Sequence, residues 1–326
     1  MLLYLVLFVV GLLMLYYGAD ALVKGSSSLA RSLGLSPLVI GLTVVAFGTS
    51  APELFISVVS ALKNKSMIAV GNVVGSNICN IGLVLGVAAL LQPIKSHPSV
   101  LRRDIPIMLG VSLYLLLISW NSMLGRFEGA TLFGGIIVYT WFNYLMAARE
   151  KRQTAGAQNI PFDLAITEIQ LIPARSKQIL WILAGIIGVV VGAEMLVDSA
   201  VAIMEKIGVS EKFVGLTIVA FGTSVPELAT SIVAAMRKEM DISIGNLVGS
   251  NVFNILSVLG ATSLIRPIQI PGGFIESGLL IDYLVMMGIS FLPWLMARKT
   301  FTVQRKHGLM LLSCYATYVA YLILKS

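Results

Sequence analysis

Two copies of a short polar motif interrupt the long apolar stretches of this 326-residue sequence. Each copy reads A-F-G-T-S-x-P-E-L, and its acidic residue is Glu53 in the first copy and Glu227 in the second. Thr49 and Ser50 precede Glu53 at the spacing of neighbours on one helix face. A carboxylate in the middle of a membrane-spanning segment costs about 3 kcal/mol even on the mildest scales. We therefore predict that both glutamates face the interior of a helical bundle and find a partner there.

The prolines and glycines of the motif predict an interrupted helix. Proline has no backbone N–H and clashes with the carbonyl four residues earlier. Pro52 would thus free the carbonyl of Gly48, and Pro226 would free that of Gly222. Irregular backbone at membrane depth is tolerated only where it is buried in protein or lines a wet cavity. We expect loose carbonyl oxygens beside the hydroxyls and the carboxylate.

A second motif, G-N-x-V-G-S-N-x-x-N, follows each copy of the first. Ser76 and Asn80 in one copy, and Ser250 and Asn254 in the other, are four residues apart and share a helix face. The glycines of this motif permit close approach of helices. These side chains are expected to add hydroxyl and amide oxygens to the predicted site.

All the groups collected in this way are oxygen ligands, with no sulfur and no histidine among them. Hard cations such as Ca²⁺, Mg²⁺ and Na⁺ prefer such ligands, whereas Zn²⁺ and Cu⁺ do not. A flexible set of about six to eight oxygens suits Ca²⁺ better than the strict octahedron of Mg²⁺. Two carboxylates balance one Ca²⁺ or two Na⁺, so the same cage could hold either ion in turn, as exchange requires.

The composition assigns these motifs to membrane-spanning helices. Hydrophobic residues make up 57% of the chain and charged residues 12%, about half the charged fraction of a soluble domain. Several uncharged runs approach the roughly 20 residues that a helix needs to cross the hydrocarbon core. The basic residues stand at segment ends without interleaved aromatic residues, which argues against nucleic acid as a partner. The predicted spans are 2–23, 36–62, 67–91, 104–122, 127–148, 178–203, 211–236, 242–264, 276–297 and 307–324.

An internal repeat organises the ten predicted spans. Residues 41–86 align with residues 215–260 without a gap at an offset of 174, and 27 of the 46 aligned positions are identical. We predict a first five-helix repeat over 1–148, a cytoplasmic linker over 149–177 and a second five-helix repeat over 178–326. Because five is odd, the second repeat enters the membrane from the opposite side, which is a transporter architecture. The fold class is therefore all-α integral membrane, with two inverted repeats and broken helices at a mid-membrane ion site.

The distribution of basic residues predicts the orientation. Most Lys and Arg residues fall in cytoplasmic loops if both termini lie outside, as the positive-inside rule favours. We expect an inner or plasma membrane location with the N- and C-termini periplasmic or extracellular. We expect the lipid bilayer as the environment, no cofactor and no obligate protein partner.

The paired motifs G-T-S-x-P-E and G-S-N-x-x-N resemble the α-repeats of the Ca²⁺/cation antiporter superfamily, in particular its bacterial and archaeal sodium/calcium exchangers. The proton-coupled members of that superfamily tend to carry G-N-A-x-E in place of the first motif. The resemblance implies four mid-membrane cation sites, exchange of one Ca²⁺ for about three Na⁺, and alternating access in which the first and sixth spans slide past the core. Some archaeal relatives carry Asp at the position of Asn254, so the site has two formal charges here and its stoichiometry is left open.

The resemblance also implies a set of ligands. The Ca²⁺ ligands are Glu53, Glu227, Thr49 and Thr223, and the residues for Na⁺ and the cavity are Ala46, Ser50, Ser76, Asn80, Ala220, Ser224, Ser250 and Asn254. The sequence thus predicts a secondary active Ca²⁺/Na⁺ antiporter with a role in calcium homeostasis. H⁺/Ca²⁺ exchange and K⁺-dependent exchange stay open as alternatives, and a passive cation channel is a distant one. No protease or hydrolase motif is present, so an enzyme is not expected.

Overall fold

A computed structural model of the chain describes residues 1–156, 171–207 and 220–325. These residues form helices joined by short connections, with four two-residue strands. The all-helical class predicted from the sequence is confirmed. In chain order the helices are α1 (Leu2–Leu33), α2 (Pro37–Thr49), α3 (Ala51–Leu62), α4 (Ser66–Leu91), α5 (residues 100–118), α6 (Arg126–Gly156), α7 (Arg175–Lys206), α8 (Ala220–Gly222), α9 (Val225–Met236), α10 (Met240–Ile265), α11 (Gly273–Glu276), α12 (Leu279–Ala297) and α13 (Arg305–Lys325).

Seven described helices are long and apolar enough to cross a membrane, and α2 with α3 makes an eighth span if the two count as one bent segment. The predicted span 104–122 corresponds to α5, whose regular part, Ile105–Ile118, has only 14 residues. The predicted span 211–236 lies partly outside the described residues. The count of ten spans and their inverted arrangement therefore stay predictions.

The predicted linker 149–177 begins within a helix, because α6 continues to Gly156. At the other end α7 starts at Arg175, slightly before the predicted span. Residues 157–170 lie outside the described part of the chain.

The chain divides into two compact units that do not coincide with the repeats. The first unit comprises Met1–Thr49 and Tyr139–Asn246, and the second comprises Ser50–Val138 and Leu247–Ser326. Each unit therefore contains segments of both repeats. The chain passes between the units three times, and two of these crossings fall within a motif, at Thr49–Ser50 and at Asn246–Leu247.

Close helix packing at glycines defines the first unit. Helices α1 and α7 each contain 32 residues, which at 1.5 Å per residue is about 48 Å, longer than the hydrocarbon core of about 30 Å. A Cβ atom added to Gly18 would lie 2.7 Å from the backbone carbon of Gly188, and one added to Gly185 would lie 2.5 Å from the backbone of Leu22. Small residues are what let two backbones approach so closely.

Helix α1 ends in a glycine cap. Gly34 has a φ of 66°, and the N–H of Leu35 donates to the carbonyl of Ala30 at 2.9 Å. This pattern satisfies the last carbonyls of a helix and favours glycine because a Cβ is disfavoured in the left-handed region. The cap stops α1 before Pro37 starts α2.

The loop between α9 and α10 is bound to α1 by ion pairs within the first unit. Arg237 contacts Asp20 at 2.8 Å, and Lys24 contacts the other oxygen of Asp20 at 2.7 Å. Arg31 contacts Glu239 at 2.8 Å, and the hydroxyl of Ser27 donates to the same carboxylate oxygen at 2.7 Å (Glu239 is buried). These residues thus have a structural role within the first unit.

The second unit contains two small antiparallel sheets, which the sequence did not predict. Strand β1 (Ile94–Lys95) pairs with β4 (Thr302–Val303), and β2 (Met123–Leu124) pairs with β3 (Ile268–Gln269). The first strand follows α4 and the third follows α10, at the repeat offset of 174 residues. Each sheet therefore joins one strand from each repeat.

Candidate cation site

The first copy of the motif forms a break between two helices. Helix α2 ends at Thr49 and α3 begins at Ala51, and the chain is bent by 43° at this break. Ser50 lies between them with φ −80° and ψ 4°, in the sparsely populated bridge region. Pro52 occupies the start of α3, where a helix tolerates proline because the N–H would have no partner there.

The second copy repeats this local structure. Helix α8 ends at Gly222, and α9 begins at Val225 with Pro226 in its first turn. Ser224 has φ −88° and ψ 2°, close to the values of its counterpart in the first motif. In both copies the proline therefore lies in the first turn of a helix that starts after the break.

The break changes one detail of the prediction. Thr49 and Ser50 were placed on the face of Glu53 by helical spacing, but neither lies within α3. Ser50 instead immediately precedes the helix, and its carbonyl accepts the N–H of Leu54 at 3.2 Å. Their position relative to the glutamate follows from the break, so the spacing argument does not apply.

Each glutamate lies in the first turn of a 12-residue helix and is fully buried. Glu53 and Glu227 both have 0% relative exposure. The N-terminal end of a helix carries partial positive charge, which favours a carboxylate at this position. Immediately before each helix, the buried hydroxyls of Ser50 and Ser224 have no hydrogen-bond partner among the described residues.

The asparagine that follows glycine in the second motif supports the first motif in each unit. In the first unit the hydroxyl of Thr49 donates to Asn246 Oδ1 at 3.1 Å, and Asn246 Nδ2 donates to Ser231 Oγ at 3.2 Å. In the second unit Asn72 Nδ2 donates to the backbone carbonyl of Glu53 at 3.1 Å. It also donates to Ser57 Oγ at 3.0 Å, the counterpart of the serine contact in the first unit.

Four asparagines form a symmetric cluster in the second unit. Asn77 Nδ2 donates to the carbonyl of Asn251 at 3.2 Å, and Asn251 Nδ2 donates to the carbonyl of Asn77 at 3.3 Å. Asn254 Nδ2 donates to Asn77 Oδ1, and Asn80 Nδ2 donates to Asn251 Oδ1, both at 3.1 Å. The two halves of the cluster are related by the repeat offset. Asn77 and Asn251 thus have defined partners for both the nitrogen and the oxygen of the side-chain amide.

Both repeats contain a π-helical turn that begins at the last asparagine of the motif. These turns are Asn80–Val84 in α4 and Asn254–Leu259 in α10. Such turns are rare in proteins overall, but those that occur are frequently found at functional sites. Sequence reasoning missed them, and the repeated N-x-x-N spacing was the only signal that could have drawn attention to them.

Every described side chain of the predicted ligand set is buried. The first unit contains Ala46, Thr49, Thr223, Ser224 and Glu227, and the second contains Ser50, Glu53, Ser76, Asn80, Ser250 and Asn254. The side chain of Ala220 lies outside the described part. Within the second unit α3 packs against α4 and against the π-helical turn of α10, which brings together the helices of Glu53, Asn80 and Asn254. That all these residues share one cage stays a prediction.

In the described part of the chain no three His, Cys, Asp or Glu side chains are grouped as a metal site. A cation bound at the motifs would therefore need neutral oxygens beside a carboxylate. Hydroxyl, amide and carbonyl oxygens are ligands that Na⁺ and Ca²⁺ accept.

Comparison with known proteins decides the family. The family described as sodium/calcium exchanger protein matches residues 3–145 and 177–324. The chain belongs to the sodium/calcium exchanger family. It is 37% identical to the inner membrane protein YrbG of Escherichia coli (strain K12) over 99% of this chain and 97% of that protein. It is 32% identical to the sodium/calcium exchanger MaX1 of Methanosarcina acetivorans, over 96% of each chain.

A solved structure supports the same assignment. The sodium–calcium exchanger NCX_Mj superposes on this exchanger-family chain with a TM-score of 0.80 at 32% identity, over 98% of each chain. The resemblance found in the two motifs is thus confirmed, and it extends along nearly the whole sequence. The chain is a multi-pass membrane protein and a cation/Ca²⁺ antiporter of this family, and the family is one of transporters, not enzymes.

Proposed function

We propose that this protein exchanges Ca²⁺ for Na⁺ by secondary active antiport and contributes to calcium homeostasis. The observation that carries the proposal is the pair of fully buried glutamates, Glu53 and Glu227. Each lies in the first turn of a helix that starts directly after a break in helical structure. Two buried carboxylates supply the charge for one Ca²⁺ or two Na⁺. The two kinds of ion therefore compete for the same negative charge, as exchange requires.

The proposed ligands are those predicted from the sequence. Glu53, Glu227 and the carbonyls of Thr49 and Thr223 bind Ca²⁺. Two unpartnered hydroxyls supply oxygens for Na⁺, those of Ser50 and Ser224. Further oxygens for Na⁺ and the cavity come from Ala46, Ser76, Asn80, Ala220, Ser250 and Asn254.

Sodium coupling is supported by the motif, which is G-T-S-x-P-E in both repeats. The hydroxyls at the two breaks offer the uncharged oxygens that Na⁺ needs. NCX_Mj and MaX1, which resemble this chain over nearly its full length, are both named sodium/calcium exchangers. Coupling to H⁺, or a requirement for K⁺, is the alternative that the experiment must separate.

The test is ion flux in proteoliposomes with each gradient varied alone. Vesicles that contain the purified protein are loaded with ⁴⁵Ca²⁺, and Na⁺, K⁺ or a pH step is applied outside. We expect Ca²⁺ release that requires external Na⁺ and does not occur with K⁺ or the pH step alone. Equal release on a pH step would replace the proposal by H⁺/Ca²⁺ exchange. Na⁺-driven release that occurs only when K⁺ is loaded together with Ca²⁺ would replace it by K⁺-dependent exchange, and uncoupled single-channel currents would replace it by a passive channel.

We further propose alternating access in which α1 and α7 move together relative to the motifs. Both helices have 32 residues, and they contact each other at backbone distance through glycines. Cysteines introduced at Ser32 and Gln178, whose side chains contact each other at 2.9 Å, can be joined by a short cross-linker with a reducible disulfide, which tests whether the two helices move as a pair. Transport that survives this cross-link supports a joint movement, and transport that stops on cross-linking and recovers on reduction contradicts it.

The proposed location is an inner or plasma membrane with both termini outside. The orientation follows from the excess of Lys and Arg in the loops assigned to the cytoplasm. Single cysteines are introduced at Leu2 and at Lys299 in a variant whose own cysteines, Cys79 and Cys314, are replaced, and labelling with a membrane-impermeant maleimide tests the orientation in intact cells. We expect labelling of the first position and protection of the second, and the reverse result would invert the topology.

A further inference from the structure

We infer that Asn77 and Asn251 are positioning residues that point the side-chain oxygens of Asn254 and Asn80 at a bound cation. The pairs are crossed between the repeats: Asn77 acts on Asn254, and Asn251 acts on Asn80. This inference rests on the proposed function, because it concerns how the same site selects its ions. All four residues belong to the second compact unit.

The backbone decides which way the first pair of amides faces. Asn77 Nδ2 lies 3.2 Å from the carbonyl oxygen of Asn251, and Asn251 Nδ2 lies 3.3 Å from the carbonyl oxygen of Asn77. A carbonyl oxygen only accepts hydrogen bonds, so each side chain must present its NH₂ group to it. An amide turned the other way would set two acceptors against each other.

The orientation then passes to the second pair. With their nitrogens used, Asn77 and Asn251 each present Oδ1, which is an acceptor only. Asn254 Nδ2 donates to the Oδ1 of Asn77, and Asn80 Nδ2 donates to the Oδ1 of Asn251, both at 3.1 Å. The oxygens of Asn254 and Asn80 must therefore point away from the cluster.

These two outward-pointing oxygens are buried and have no hydrogen-bond partner within the described residues. Asn80 and Asn254 have 0% relative exposure, and each is the first residue of a π-helical turn. A buried acceptor without a partner is costly to retain, which indicates that another ligand satisfies it in the working protein. A hard cation accepts an amide oxygen and would be repelled by the NH₂ group of a flipped amide.

A purely structural role for Asn77 and Asn251 would consist of joining α4 to α10. The two roles differ in how substitutions combine. If Asn77 acts through Asn254, its removal has no further effect on cation affinity once Asn254 is gone. If it only joins helices, its effect adds to that of any other substitution, as is normal for independent sites.

The experiment is a set of double-mutant cycles read as Ca²⁺-induced thermal stabilisation of the purified protein and as Na⁺-driven ⁴⁵Ca²⁺ flux. Asn77→Ala and Asn254→Ala form the coupled cycle, and Asn77→Ala with Asn80→Ala forms the uncoupled one. Gln178→Ala is the matched control, because both ends of this buried amide are hydrogen-bonded outside the motifs, its Oε1 to the hydroxyl of Ser32 at 2.9 Å and its Nε2 to the carbonyl of Ile172 at 2.6 Å.

We expect Asn77→Ala and Asn254→Ala each to weaken apparent Ca²⁺ affinity about tenfold, because each substitution removes the hydrogen bond that orients one amide oxygen. The double variant is expected to be no weaker than Asn254→Ala alone, whereas Asn77→Ala with Asn80→Ala multiplies the two losses. Gln178→Ala should keep the parent affinity. Equal multiplication in both cycles overturns the inference.

Folding and function are separated by the two readouts. Size-exclusion profiles and ion-free melting temperatures identify variants that fail to fold, and Asn77→Ser, which keeps a small polar group, then takes the place of the alanine variant. If cations stabilise the parent but Na⁺ drives no Ca²⁺ flux, the proposed function fails while the crossed coupling in stabilisation still supports positioning. If no Na⁺ or Ca²⁺ concentration stabilises the parent, the inference is overturned as well.

Discussion

Replacement of one buried glutamate by glutamine tests the assignment of the cation site most directly. Glu53→Gln and Glu227→Gln keep the size of the side chain and remove one negative charge. Both carboxylates are fully buried in the first turn of a short helix, so no solvent screens the charge that is lost. We expect each variant to lose Ca²⁺ transport while it still folds.

The magnitude follows from the cost of leaving a buried charge without its counterpart. Removal of one partner from a buried ion pair costs about 3–5 kcal/mol. At 1.4 kcal/mol per factor of ten, this corresponds to a loss of Ca²⁺ affinity of roughly 10²- to 10³-fold or more. In the absence of ions the substitution should not lower the stability of the fold, because a neutral side chain avoids the desolvation cost of a buried carboxylate. The ion-free variant should melt at the same temperature as the parent or higher.

The assay combines two measurements on the same preparations. Melting temperatures with and without Ca²⁺ give stability and binding, and Na⁺-driven ⁴⁵Ca²⁺ release from vesicles gives transport. Glu128→Gln is the control, since Glu128 also lies in the first turn of a helix but accepts the N–H of Gly125 at 3.0 Å outside the motifs. Its transport should equal that of the parent.

Two results would refute this reasoning. Substantial Na⁺-driven release from either glutamine variant would show that the carboxylate is not needed for the ion. A variant that melts well below the parent in the absence of ions would indicate that the glutamate serves the fold. Either outcome, with a normal control, removes the basis for the proposed site.

Three further predictions concern the scaffold. Gly18→Ala should destabilise the protein by about 1–3 kcal/mol, because the new methyl group meets backbone at 2.7 Å, whereas Gly110→Ala, with open space around it, should leave the melting temperature unchanged or raise it. Glu239→Ala should cost about 3 kcal/mol, since it strips Arg31 of a mostly buried partner, and a melting temperature equal to the parent's would contradict this. Pro52→Ala restores an N–H that can continue the helix through the break, so Ca²⁺ flux should fall while the melting temperature holds, and unchanged flux would show that the break does not depend on this proline.

The repeat shows how far sequence alone can lead. Two copies of an acidic motif in a 57% hydrophobic chain are sufficient to predict helices, membrane insertion and the family. A charged residue within a membrane-spanning segment is costly, so its presence indicates a functional site. Both motif glutamates, Glu53 and Glu227, are buried as expected, and so are the other described side chains of the predicted ligand set. Hydrophobicity and charge are properties of each residue, so these conclusions need no knowledge of which helices touch.

Other features depended on partners that the sequence does not reveal. Spacing placed Thr49 on the face of Glu53, but the helix breaks between them, and only the folded chain shows where the new helix starts. The partners of Glu239, at positions 27 and 31, lie more than 200 residues away in sequence. The strand pairs and the π-helical turns likewise depend on neighbours brought close by the fold.

The sequence by itself determined the class of the protein, the oxygen-bearing side chains of the motifs and the existence of two equivalent motifs. These follow from residue type and periodicity, which are local. Only the tertiary structure decided how those ligands are oriented. An asparagine can present either its oxygen or its nitrogen, and the carbonyls of Asn77 and Asn251 select one orientation because a carbonyl oxygen can only accept.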